Sequence, residues 1–209
     1  MGAGANTQSE PMKTSTPKIT LFTLAALAAL PLAAGAASVT MTGSDSIGNS
    51  SFNTAGFWNN AAAPSAGNDY FSGDFVLRTP ASGSSFTFAG DSLTINNTGP
   101  YSQGLLYKGT GAAGIITVNN LIVSGGRISH AQGIGDVFNL AGNLNVATTG
   151  EIYAKQGNIN ILANLSGAGT LTVSQTDAPT EDNRYVTLAG SSAAFTGKIV
   201  VAGRLRVSS

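Results

Sequence analysis

Short apolar triplets recur along this chain, each closed by glycine, asparagine or serine. Leu93/Ile95, Leu121/Val123, Leu144/Val146 and Leu171/Val173 each put two branched side chains on one face of an extended segment. They begin at successive separations of 28, 23 and 27 residues. An internal period in the twenties points to stacked β coils. Outside residues 19–32, no window sustains a helical period.

Composition supports many short strands joined by tight turns. Glycine accounts for 27 of 209 residues, 42% of the chain is hydrophobic and only 10% is charged. That is enough apolar material for a core and too little charge for a charge-rich disordered chain. Formal net charge is zero, and no basic patch of the kind that neutralises phosphates is present, so no nucleic-acid partner is expected. There is no cysteine, which excludes disulfides and thiolate metal sites.

The first segment, 1–37, reads as a secretory signal peptide. Lys13 and Lys18 precede an apolar run over 19–32, Pro31 falls near its end, and Ala34-Gly-Ala-Ala37 supplies small residues for cleavage after Ala36 or Ala37. The run is shorter than the roughly 20 residues of a membrane-spanning helix, so no span is expected in the mature chain. Residues 38–80 form a second region, an N-terminal cap. It holds the only tryptophan, Trp58, with Phe52, Phe57, Tyr70, Phe71 and Phe75. Terminal units of a solenoid differ from the rest because they must close the core. A concave aromatic site for a sugar, built on Trp58 and Tyr70, is the competing reading.

Residues 81–209 are periodic. After a strand over 75–77, closed by Thr79-Pro80, strands are predicted at 85–88, 93–95, 105–107, 115–118, 121–123, around Ile128, and at 137–140, 144–146, 151–153, 159–162 and 170–173. Two all-β architectures accommodate them. A parallel β-helix needs two or three short strands per coil and glycine or asparagine at its corners; Asn120, Asn143, Asn158 and Asn164 are candidates for amide ladders between coils. An antiparallel β-sandwich or jelly roll needs longer, hairpin-joined strands. The short runs favour the β-helix, with coils of about 22 residues stacked about 4.8 Å apart.

Residues 165–173, Leu-Ser-Gly-Ala-Gly-Thr-Leu-Thr-Val, and 195–207, Phe-Thr-Gly-Lys-Ile-Val-Val-Ala-Gly-Arg-Leu-Arg-Val, resemble the autotransporter-associated β-strand repeat. Gly167, Gly169, Thr170, Leu171 and Val173 match its first part; Thr196, Gly197, Val200, Gly203, Leu205 and Val207 match its second. Phe195 replaces the usual Tyr, and the loop 174–185 is longer than usual. The clear likeness covers about 43 residues. It implies a right-handed parallel β-helix in a large exported protein of the bacterial cell surface, outer membrane or extracellular space. The expected function is structural or adhesin-like, a passenger or stalk segment whose partners are an extracellular glycan or another surface protein. The pattern stops at Ser209 without a translocating barrel, and the repeats are expected to be incomplete there.

Chemistry is sparse. Arg127, His130 and Asp136 are the compact titratable group, yet strand alternation sets Arg127 and His130 on opposite faces, and a solvated turn with a lone histidine is expected. Asp177, Glu181 and Asp182 share a loop without calcium-loop spacing. The glycines at 109–114 lack a phosphate-loop ending. Tyr101 and Tyr107 are expected to pack in the core or at an edge. Acids elsewhere are isolated, which argues against the paired carboxylates of a glycosidase. No catalytic, cofactor-binding or metal-binding residue is predicted, ligand-binding residues are unassigned, and no enzyme is expected. The alternative is an accessory or carbohydrate-binding region of a secreted polysaccharide-active enzyme.

Overall fold

A computed structural model describes residues 1–2, 4, 35–81, 85–98, 104–108, 114–130, 136–175 and 183–208. Most of the leader, Tyr101, the glycines 109–113 and the acidic loop 177–182 lie outside the described residues. Residues 1–34 form a unit separate from 35–209, and all that follows concerns the second.

Each coil is a triangle of short strands because each side needs only two or three inward residues to reach the shared interior. One side builds a six-stranded sheet from β3 (Leu77–Arg78), β6 (Leu105–Tyr107), β8 (Arg127–His130), β10 (Thr149–Ala154), β13 (Thr170–Gln175) and β16 (Lys198–Val201). The other two sides belong to one eleven-stranded sheet, since two long strands bend around a corner. It comprises β1 (Ala37–Thr40), β2 (Asn68–Phe71), β4 (Phe86–Thr87), β5 (Ser92–Ile95), β7 (Ile115–Val123), β9 (Phe138–Val146), β11 (Ile159–Ile161), β12 (Asn164–Gly167), β14 (Val186–Leu188), β15 (Ala194–Phe195) and β17 (Leu205–Val207). The register irregularity in the β7/β9 pairing, between Val118 and Leu121, marks that bend. Four coils have full strands on every side, and shorter coils flank them.

Every strand pairing among the described residues is parallel, so the protein is an all-β parallel solenoid and the sandwich alternative is excluded. Parallel pairing stacks like residues on like. Val39, Tyr70, Leu93, Leu121, Leu144 and Leu165 form one inward row. Leu77, Leu105, Ile128, Ile152 and Val173 form a second. Phe86, Ile116, Leu140, Ile161 and Leu188 form a third. Nearly all are fully buried, and each such side chain contributes about 1.5–3 kcal/mol.

The register corrects one sequence assignment. Leu171/Val173 does not continue the row of Leu93, Leu121 and Leu144; Leu165 does, and Leu171 stacks on Gly150 in the other sheet. The strand expected at 75–77 also falls later, at β3, because Phe75 and Val76 belong to the turn into it.

In the first coils the interior is aromatic. Trp58 meets Tyr70 edge-on at 4.8 Å, Tyr70 meets Phe88 at 5.2 Å, and Phe88 meets Phe52 at 5.3 Å. The backbone of β3, an edge strand, is met by the preceding loop. Ser44 Oγ accepts the Val76 N–H, Asp45 donates its N–H to the Val76 carbonyl, and the Asp45 carboxylate accepts the Arg78 N–H.

Candidate functional site

The outward face of the eleven-stranded sheet carries an open trough of about 770 Å³. Alternation places two rows of side chains in it. Asp69, Ser92, Asn120 and Asn143 follow one another along the stack, and beside them run Phe71, Thr94, Ile122, Asn145 and Ser166. From Asp69 to Ser166 the trough crosses four coil spacings, about 19 Å.

Its polar groups are held by bonds to neighbouring coils. Ser92 Oγ donates to Asp69 Oδ1 at 2.5 Å, and Gly67 N donates to Asp91 Oδ1 at 3.0 Å. Asn120 Nδ2 donates to the Asp91 carbonyl at 2.7 Å, Asn143 Nδ2 to the Asn119 carbonyl at 2.8 Å, and Asn145 Nδ2 to Ser166 Oγ at 3.4 Å. Each of these asparagines thus gives one of its two amide hydrogens to the scaffold. Asn120 Oδ1 and Asn145 Oδ1 have no protein partner among the described residues. Among the described residues, the lining includes two carboxylates and no lysine or arginine. The trough is a polar surface richer in acceptors than in donors, with apolar contacts from Phe71 and Ile122.

Of the expected amide ladders, one rung forms: Asn164 Nδ2 donates to Asn143 Oδ1 at 3.3 Å. Asn120 stands in the same row but bonds backbone. Asn158 is no ladder residue, since its Oδ1 accepts the Tyr185 N–H at 3.0 Å. A second rung, Asn160 to Asn139 at 3.0 Å, joins outward positions of β11 and β9. Sequence reasoning missed that rung; the polar residue between two apolar ones in Ile159-Asn-Ile161 was its only signal.

The expected solvated histidine is a buried one. Alternation in β8 does separate Arg127 from His130, but it turns His130 inward and leaves it fully buried. Its Nε2 lies 2.6 Å from the Asp136 carbonyl oxygen and 3.4 Å from Asp136 Oδ1. Tyr107, from the preceding coil, donates its hydroxyl to Asp136 Oδ2 at 3.1 Å and packs edge-on against the imidazole at 5.0 Å. Tyr107 also stacks on Phe138 at 4.5 Å. Burial pushes the His130 pKa below its ordinary value, outweighing the Asp136 carbonyl and carboxylate, which favour the proton; Arg184 adds to the lowering. Arg127 faces outward instead, 2.5 Å from Glu151 Oε2 and 4.3 Å over the Tyr153 ring, while Glu151 also accepts the Ser174 hydroxyl. Thus the structure joins His130 to Asp136 and sends Arg127 to a different network. An imidazole closed in this way is shaped as a core polar group rather than a base facing substrate.

Trp58 and Tyr70 are also buried, so neither offers a ring face to a sugar. Tyr107 is in the core, as expected. Among the described residues, no three acidic or histidine side chains gather as a metal site, and no helix is long and apolar enough to cross a membrane. No protein-family model, curated protein or solved structure matches the chain.

Proposed function

We propose that this chain is an exported, adhesin-like β-solenoid stalk or passenger segment that works mechanically rather than catalytically. One observation carries the reading: three apolar rows run through successive coils, and every full coil is hydrogen-bonded to the next along all three sides. Such a stack is a stiff rod that presents its outward faces to a partner. A leader at 1–37, an N-terminal cap at 38–80 and right-handed winding, the usual hand of parallel crossovers, belong to the same reading. Antibody labelling of intact cells expressing the open reading frame tests it. Surface label lost after external protease is expected; retention in the cytosol, with residues 1–37 still attached, overturns it.

The polar trough favours a second reading, an accessory region of a secreted polysaccharide-active enzyme. A downstream region of the same reading frame with paired carboxylates at glycosidase spacing would select it.

A further inference from the structure

We propose that the trough on the eleven-stranded sheet binds an uncharged oligosaccharide chain lying along the solenoid axis. Three features of the lining set the ligand class. First, the groups left over after scaffold bonding are the Asp69 carboxylate, the side-chain oxygens of Asn120 and Asn145 and one amide hydrogen on each of these asparagines, so acceptors outnumber donors. They suit a ligand rich in hydroxyl groups, which donate and accept. Second, Phe71 and Ile122, both half-buried, stand in one register row with Asn145 and Ser166. Apolar side chains beside polar ones suit the C–H face of a pyranose ring flanked by its hydroxyls. Third, carboxylates with no lining cation among the described residues repel an acidic sugar, which would have to bury its charge beside theirs. Parallel stacking brings one residue of each row into the trough at every coil, so an extended chain meets a new pair of side chains about every 4.8 Å. This inference deepens the surface-segment reading and rests on it, since a polysaccharide is met outside the cell.

The test is calorimetric titration of the full chain with a neutral β-linked glucan di-, tetra- and hexasaccharide, with an oligogalacturonate of six units, and with spermidine. The expected result is affinity that rises from disaccharide to tetrasaccharide, levels off at the hexasaccharide, and is absent for the acidic sugar. Ile122→Arg blocks the middle of the trough from an outward position and should weaken hexasaccharide binding at least about tenfold; Phe71→Ala should weaken it about tenfold. Far-UV circular dichroism checks the fold of both variants, and Phe71→Ala carries the test if Ile122→Arg does not fold. The proposal is overturned if no neutral oligosaccharide binds, if the oligogalacturonate or spermidine binds as tightly, or if both folded variants bind as the parent does. None of these results would alter the cell-surface labelling, and cytosolic retention would leave the titration unchanged, so the two readings fail separately.

Discussion

Gly197 lies against the carbonyl oxygen of Gly169: a methyl group on Gly197 would stand 2.0 Å from it. The same carbonyl accepts the N–H of Lys198 at 3.0 Å. One coil lower the arrangement repeats, with Gly169 against the Thr148 carbonyl, which accepts the N–H of Thr170. The glycines of the repeat motif are thus set by the distance between coils at this corner.

Gly169→Ala should therefore lower stability by about 1–3 kcal/mol, since the methyl must push two backbones apart where they are hydrogen-bonded. Gly48→Ala is the control: nothing lies within 4 Å of the added methyl. Its effect should stay within about 0.5 kcal/mol. Urea unfolding midpoints compare the two. Equal midpoints would mean that the corner relaxes freely and that spacing does not select glycine there.

Asp45 joins the first loop to the first strand of the six-stranded sheet. Its carboxylate accepts the Ser51 N–H at 2.8 Å, the Ser51 hydroxyl at 2.6 Å and the Arg78 N–H at 2.9 Å. Asp45→Ala strands donors in a buried place, and a loss of about 3 kcal/mol is expected. Amide hydrogen exchange adds a local readout, because the Arg78 amide should exchange faster in the variant while the Ile152 amide, inside the same sheet, slows or quickens only with global stability. An unchanged Arg78 amide would show that another acceptor replaces the carboxylate.

Most of the strands could be read from the sequence because inward and outward residues alternate within each short run, as in Leu144-Asn-Val146. What alternation does not carry is the side of the triangle to which a run belongs. Leu144/Val146 and Leu171/Val173 look alike, yet they lie in different sheets. Leu165, the true successor of Leu144, is followed by Ser166 and by Gly167, whose positive φ of 100° suits glycine, so it shows no triplet. The trough was invisible for the same reason: Asp69, Asn120 and Asn145 become neighbours only through the register. His130 was legible as opposite to Arg127, but its depth depends on Tyr107 from the coil before and on Asp136, six residues on. Gly157 makes that depth possible, since a methyl there would stand 2.2 Å from His130 Nε2.

Trp58 is the sole tryptophan and a direct probe of the aromatic interior. Its side chain is 3% exposed, and its indole N–H donates to the Ser51 carbonyl at 2.7 Å. Its emission should be blue-shifted, resist iodide quenching and stay constant on addition of any oligosaccharide. Trp58→Ala should cost about 3–5 kcal/mol by opening a cavity between Tyr70 and the loop. Emission that shifts with a sugar would return Trp58 to the candidate ligand residues.

The single histidine makes the pH dependence assignable. Burial holds the folded-state pKa of His130 below the unfolded value of about 6.5, so below that pH the unfolded chain takes up the proton first. Stability should be level above about pH 6.5 and fall as pH drops through it toward the folded pKa, with a slope of at most about 1.4 kcal/mol per pH unit. The groups facing the imidazole are Asp136, whose carboxylate and carbonyl favour protonation, Tyr107, and Arg184, which opposes it. Unfolding midpoints at pH 7.5, 6.5 and 5.5 should decline over the last step in the parent and stay flatter in His130→Gln; these pH values bracket the ordinary histidine value and avoid most carboxylate titration. The one imidazole resonance in a proton NMR titration should give a midpoint below about 6.5. A midpoint above it, with stability rising toward pH 5.5, would mean that the Asp136 carboxylate outweighs burial and that the pair is an ion pair in the folded protein.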